Sequence, residues 1–200
     1  MKNLLVIKSS LFNANGQSSR LVDEFAERWR SANPDGRVLC RDLAADPVPH
    51  LTADIFTGFG KPAAKRNSAQ TAAAAISDTL IAELKAADAV AIGLPMYNFT
   101  IPSTFKTWMD FVARAGVTFE YTDNGPRGLA GDKPVYVFAA RGGQYQGTPN
   151  DTQTGLIKTF FDFLGMKEVH FTYAEGLALG KQAVEQAHQV AGEEIRRLAA

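Results

Sequence analysis

Strand-like and helix-like stretches alternate along this 200-residue chain, and no other feature restricts its fold so strongly. Residues 4–7, 37–43, 89–94, 135–140 and 168–173 are short runs rich in apolar and β-branched residues. Between them, Leu21, Val22, Phe25 and Trp29 fall at helical spacing within 18–29, and Ile76, Leu80, Ile81 and Leu84 do so within 68–86. Further helix signals cover 102–115, 152–164 and 181–198. Asn124-Gly125 inside the alternating stretch 117–131 predicts a small hairpin. Residues 44–67, with scattered Pro, Gly and Asp, predict a long loop with a short helical turn. Strands that are each followed by a helix pair in parallel, so the pattern predicts one α/β domain over residues 1–200. Its five-stranded parallel sheet should be covered on both faces.

Charge narrows the function. Lys plus Arg is 21 and Asp plus Glu is 21, so neither a nucleic-acid stripe nor a polybasic membrane surface is expected. The opening MKNLLVIKSS is too short in apolar residues for a signal peptide and is interrupted by Lys8. No apolar run approaches the roughly 20 residues of a membrane helix. A single cysteine, Cys40, allows no internal disulfide, and its alternating apolar neighbours predict a packed thiol. A cytoplasmic protein is the expectation.

Open parallel sheets bind ligands outside the carboxyl ends of their strands, where the strand order reverses. Three loops there have unusual chemistry. The first, Ser9 to Ser19, is rich in hydroxyls and amides and runs into a helix. Free N–H groups and the helix dipole favour an anion there, and Ser10, Gln17 and Ser18 add donors suited to a phosphate monoester; equally, Ser18 can simply cap the helix. The second, Pro95-Met96-Tyr97-Asn98-Phe99, places aromatic, thioether and amide groups where a buried strand emerges, which suits a flat ring as well as a hydrophobic corner. The third, Ala140-Arg141-Gly142-Gly143, carries paired glycines. There Gly143 would have positive φ or permit a close approach, its N–H facing a ligand, unless the segment is an ordinary turn.

Other chemistry is not signalled. Nucleotide P-loop, zinc-protease, nucleophile-elbow and CxxC patterns are lacking. Gly58-Phe59-Gly60-Lys61-Pro62-Ala63 imitates a dinucleotide fingerprint but follows no strand. His50, His170 and His188 are too dispersed for a metal site.

Lys8-Ser9-Ser10 with Gln17-Ser18, Arg41-Asp42-Leu43-Ala44, Pro95-Met96-Tyr97-Asn98-Phe99, Ala113 to Phe119 (ARAGVTF), Tyr121-Thr122, Asn124-Gly125-Pro126, Arg141-Gly142-Gly143 and Ala174-Glu175-Gly176 resemble, in order and over essentially the whole chain, the bacterial FMN-dependent NADH azoreductases and quinone reductases. MYNF followed by ARAGVTF is the most specific part. The resemblance implies a flavodoxin-like three-layer sandwich and a homodimer with one FMN per subunit near the interface. It implies phosphate at Ser10 and Gly16-Gln17-Ser18, and the isoalloxazine on Pro95, Met96, Tyr97, Asn98 and Phe99, with Ala140, Arg141, Gly142 and Gly143 at its pyrimidine edge. Ala140 stands where the family often has Ser or Thr, which removes a side-chain contact but leaves a backbone one. Phe119, with Tyr121 and Phe59, would line the acceptor pocket, Phe119 from the partner subunit. The apolar and aromatic content from Phe99 to Phe119 also argues for a dimer, because it exceeds what one site wall can bury.

The activity implied is two-electron, ping-pong transfer from NADH or NADPH through FMN to quinones and aromatic azo compounds. No catalytic side chain and no metal is required, since the flavin carries the chemistry. The alternative is a flavodoxin-type electron carrier without a substrate of its own. Carriers tend to be strongly acidic for docking, whereas this chain is neutral.

Overall fold

A computed structural model describes residues 2–199. Five parallel strands form its main sheet: β1 (Asn3–Lys8), β2 (Arg37–Asp42), β3 (Ala89–Pro95), β6 (Val135–Ala140) and β7 (Val169–Ala174), in the spatial order β2-β1-β3-β6-β7. Two short strands, β4 (Phe119–Thr122) and β5 (Gly125–Gly128), make the antiparallel hairpin expected from Asn124-Gly125. The six α-helices described are α1 (Gln17–Ala32), α2 (Ala53–Phe59), α3 (Ser68–Ala86), α4 (Ser103–Val112), α5 (Thr152–Phe163) and α6 (Lys181–Leu198). The chain passes from β1 outward to β2, then returns to place β3 on the other side of β1. The order therefore reverses at β1, and a crevice opens beyond the carboxyl ends of β1 and β3.

Both sheet faces are covered. Leu80, Leu84, Phe105, Trp108, Phe111 and Phe161 of α3, α4 and α5 pack on one face. Leu21, Val22, Phe25, Trp29, Ala187 and Ile195 of α1 and α6 pack on the other. The central strand β3 is buried at every position, as a strand between two helical layers must be. At Gly93 the close fit becomes obligatory: a Cβ there would lie 2.8 Å from the backbone oxygen of Ser18. The first turn of α1 therefore rests directly on β3.

Three expectations are corrected. Residues 44–67 hold more than one helical turn: Thr52 accepts from the Ile55 amide to cap α2, and Gln70 hydrogen-bonds Asp54 and joins Asn67 in a capping box on α3. So short a helix carries little periodic signal, and tertiary packing holds it. Cys40 is exposed, with Leu39 beside it. β2 is the margin of the sheet, so apolar alternation does not bury the run. Finally, Phe105, Trp108 and Phe111 lie wholly within this chain's own core. The aromatic content of 99–119 is thus no argument for a dimer.

Lys133 closes the far end of the sheet. Its ammonium is almost buried and donates to the Leu84 oxygen at 2.7 Å and the Ala87 oxygen at 2.6 Å, satisfying carbonyls at the end of α3. Burial lowers its pKa from the ordinary lysine value. Lys133→Met leaves these carbonyls without a donor, and each buried unsatisfied group costs about 1–3 kcal/mol. We expect urea unfolding at neutral pH to give a lower midpoint with an unchanged slope; an unaltered midpoint would show that water replaces the ammonium.

Candidate functional site

At the carboxyl edge of the sheet the loop after β1 gathers unpaired polar groups before α1. Gly16 precedes α1 and offers no capping side chain. The first backbone bond of the helix is Arg20 N to Gly16 O, so the amides of Gln17, Ser18 and Ser19 find no acceptor among the described residues. The hydroxyls of Ser18 and Ser19 are buried and likewise have no partner there. Ser10 is buried beside them; its Oγ accepts from Phe12 N at 3.3 Å and lies 3.4 Å from the Tyr97 hydroxyl. A Cβ on Gly16 would stand 2.0 Å from Ser10 Oγ and 3.3 Å from Ser19 Oγ. Buried hydroxyls are rarely left unpaired in folded proteins. The Ser10 and Ser19 hydroxyls beside Gly16 and three amides at a helix N-terminus have the chemistry that suits a phosphate monoester.

The structure brings Ser10, Gly16 and Ser18, singled out in the sequence, to the same loop end before α1. The sequence expectation overlooked Ser19, although the Ser18-Ser19 pair was visible. Gln17 contributes its backbone, while its side chain turns to α6, with Oε1 2.8 Å from His188 Nε2.

The loop after β3 is a tight turn. Tyr97 and Thr100 exchange backbone bonds at 3.0 Å each. Asn98 and Phe99 between them have φ of 48° and 63°. Phe in this left-handed region is strained, at a cost on the order of 1–3 kcal/mol. The turn is held from outside: Gln153 Nε2 donates to the oxygens of Pro95 (2.9 Å) and Thr100 (3.2 Å), and the Thr152 hydroxyl donates to the Phe99 oxygen. Phe99 remains exposed, and the Asn98 and Phe99 amides have no acceptor among the described residues. Met96 is anchored through its amide to the Ala140 oxygen at 2.9 Å. A groove of 550 Å³ opens along this loop, lined by Leu11, Tyr97, Asn98, Ile101, Pro102 and Leu156.

The loop after β6 departs from expectation at two residues. Ala140 is buried, and its carbonyl is taken by Met96. Arg141 does not present its side chain to the edge. It is 1% exposed and turned inward, donating to Gln153 Oε1 (3.1 Å), Glu175 Oε1 (3.0 Å) and Asp151 Oδ1 (2.7 Å), with its guanidinium 4.8 Å over the Tyr173 ring. A basic residue in a ligand loop reads as a ligand group; only the acidic and amide partners from α5 and the loop after β7 reveal it as internal scaffolding. Gly142 and Gly143 stay at the surface side. Their amides and that of Gln144 have no acceptor among the described residues, whereas the Gly142 and Gly143 carbonyls are bound by Ala178 and Gly176. Gly143 is not in the left-handed region. A close approach does occur there, but from the Tyr145 ring, which a Cβ would meet at 2.6 Å. Tyr145 stacks edge-on to Phe99 at 5.6 Å. The third and second loops thus share one aromatic wall.

Phe59, Phe119 and Tyr121 do come together. With Phe56 and Arg114 they line a 490 Å³ apolar pocket. Arg114 sits 5.1 Å over the Phe59 ring and pairs with Asp78. This pocket lies beside the last turn of α4, whose first turn follows the Asn98-Phe99 loop. Ten residues at a rise of about 1.5 Å put some 15 Å of helix between them, so within one chain the pocket does not join the three loops.

Asp151 ties the site to stability. Burial alone would raise its pKa, but hydrogen bonds from Arg141 and Thr154 and the Arg141 charge outweigh it and hold the carboxyl below the usual carboxylate range. A depressed folded pKa gives stability that is complete above the unfolded value of about 4 and lost as pH falls through the folded one. We expect Asp151→Asn to flatten the decline of unfolding free energy below about pH 4, measured by urea titrations across pH; an unchanged acid limb would remove Asp151 from the account.

The family described as having a flavodoxin-like fold matches residues 2–199. An FMN-dependent NADH:quinone oxidoreductase of Cellvibrio japonicus is 52% identical over 197 residues, 98% of either chain. One of the same name from Alcanivorax borkumensis is 51% identical, covering 96% of this chain and 98% of its own. Among solved structures, an azoreductase from Bacillus anthracis superposes with a TM-score of 0.89 at 29% identity, covering 100% of this chain and 99% of its own.

Proposed function

The chain belongs to the flavodoxin-like family and, within it, to the FMN-dependent NADH:quinone oxidoreductases, and from that premise we propose that its three edge loops hold one FMN, through which NADH reduces quinones and aromatic azo compounds. The observation that carries this is the cradle before α1, where two buried hydroxyls and three helix amides stand without partners. It fits a terminal phosphate monoester, and the relatives are named FMN-dependent, which favours FMN over FAD. NADPH is the other nicotinamide donor to be compared. The alternative of a carrier without its own substrate has no support among relatives named as oxidoreductases.

The residues divide the work. Ser10, Ser18, Ser19 and the amides of Gln17, Ser18 and Ser19 bind the phosphate. Pro95, Met96, Tyr97, Asn98 and Phe99 carry the ring, and the amides of Asn98, Phe99, Gly142, Gly143 and Gln144 face its electron-rich edge. With FMN held there, it would supply two-electron hydride chemistry between nicotinamide and acceptor, while these residues bind and orient it. Fixed N–H donors stabilise the negative charge that reduction places on the ring without having to reorganise. Phe99 and Tyr145 form a wall that keeps water from the ring. Donor and acceptor use the same exposed face in turn, which gives ping-pong kinetics.

The second pocket completes the site in a homodimer. Phe59, Phe119 and Tyr121 are remote from their own chain's loops but form an apolar rim with the exposed Phe56. Leu11, Phe12 and Phe99 are exposed near the ring loops. Two such surfaces meeting between copies would bring a partner's aromatic pocket over the ring. Residues 1–200 act as one FMN-binding domain. No described helix is long and apolar enough to cross a membrane, and we place the protein in the cytoplasm.

Cofactor released by heat should chromatograph as FMN, and NADH oxidation should require a quinone or azo acceptor, with parallel double-reciprocal lines. Recovery of FAD, or no acceptor-dependent turnover, would overturn the proposal. Gly16→Ala tests the cradle. A Cβ against Ser10 should weaken FMN at least about tenfold, roughly 1.4 kcal/mol, and leave the weaker binding of riboflavin, which has no phosphate, nearly unchanged. Equal loss for both ligands would place the phosphate elsewhere.

A further inference from the structure

We propose that Arg141 is a positioning residue whose buried guanidinium couples the Asn98-Phe99 loop to the Gly142–Gln146 loop, so that the ring-edge donors of both are held as one unit. The proposal rests on the FMN assignment above and extends it to how the donor array is kept rigid.

Every arm of the guanidinium ends on a group that holds one of these loops. Nε donates to Gln153 Oε1, and the amide of the same side chain donates to the Pro95 and Thr100 oxygens on either side of the strained turn. One terminal nitrogen donates to Glu175 Oε1, which also accepts from Tyr145 N and Gln146 N at 3.0 Å each. The other donates to Asp151 Oδ1 and, at 3.3 Å, to Thr154 Oγ1, at the cap of α5. The next residue, Thr152, holds the Phe99 oxygen. Gln153 is wholly buried and bridges the cation to the β3 loop directly. The loops also touch through Phe99 and Tyr145, but that contact is between two part-exposed rings. Through Gln153 and Glu175 the guanidinium links both loops from within.

Coupling of this kind changes what the loops can do. Phe99 is held against its backbone preference, so a loop released on one side relaxes away from the ring. The five amides without acceptors are then no longer aimed together. A planar fork with its donors fixed in space suits three separate acceptors; a lysine ammonium in the same place cannot reach all three. Arg141→Lys keeps the charge and removes the geometry, which separates coupling from simple neutralisation of Asp151 and Glu175.

The test uses Gln153→Met to cut the arm to the β3 loop, Glu175→Ala to cut the arm to the β6 loop, the double variant, and each arm cut in Arg141→Lys. Hydrogen exchange in the FMN-free protein should show Tyr145 and Gln146 exchanging several-fold faster in Gln153→Met, although Gln153 does not touch them. That effect should vanish in the Arg141→Lys background. FMN titration of the refolded apoprotein should show each single variant weakened about tenfold and the double variant by clearly less than the product, the signature of groups acting as a unit. The midpoint potential of the bound flavin should move negative in each single variant. Wild-type exchange at Tyr145 and Gln146 in Gln153→Met, with losses that multiply in the double variant, would overturn the coupling. Should Arg141→Lys not fold, the Gln153→Met and Glu175→Ala pair decides alone. Failure of the wild type to bind FMN would sink the functional proposal, while the exchange measurement would still decide the coupling.

Discussion

The contact on which the rest depends is the seating of the first turn of α1 on the backbone of β3. Only hydrogen at Gly93 allows the Ser18 carbonyl so close, and the Ser9 hydroxyl fixes the junction by donating to the Gly93 oxygen at 2.8 Å. The interior is close-packed, so a helix lifted by a methyl group would carry its N-terminus away from the crevice between β1 and β3. With it would go three amides and two buried hydroxyls. The position of these groups is thus a consequence of core packing.

The turn after β3 is built on the opposite principle. Phe99 is held in a conformation its side chain disfavours, and the restraint comes from α5 through Thr152 and Gln153. Arg141, Asp151 and Glu175 add a buried ionic cluster behind it. Buried ion pairs are weak contributors to net stability because desolvation offsets attraction. Their value here is geometric. They join the ends of β6 and β7 and the start of α5 into one rigid support, leaving the outward amides of Gly142, Gly143 and Gln144 free.

Particular residues show where sequence patterning succeeds and where it stops. Strand and helix positions followed from local periodicity, because the faces that alternate in sequence are the faces that pack. Ser10, Gly16 and Ser18 were legible because a polar loop running into a helix leaves the same orphan donors in any protein. Cys40 misled because periodicity reports which residues share a side and cannot report that the strand is at the margin. Phe105, Trp108 and Phe111 misled in the other direction: a dense aromatic segment looked like surplus for an interface, and its own core absorbed it. Arg141 was read as a ligand group because its partners, Asp151, Gln153 and Glu175, are 10, 12 and 34 residues away along the chain.

By itself, the sequence determined the class of fold, the order of strands and helices, and the polar, helix-leading character of the loop before α1. These depend on local spacing, helix-end chemistry and strand alternation, all of which act over a few residues. Only the tertiary structure decided which polar groups of the sheet edge face inward and which remain free. It alone showed that Ser19 joins the cradle, that Tyr145 and Phe99 share a wall, and that Phe59, Phe119 and Tyr121 gather about one helix length from the loops of their own chain. Such outcomes are set by hydrogen bonds and packing between segments distant in sequence, and a linear pattern carries no record of those distances.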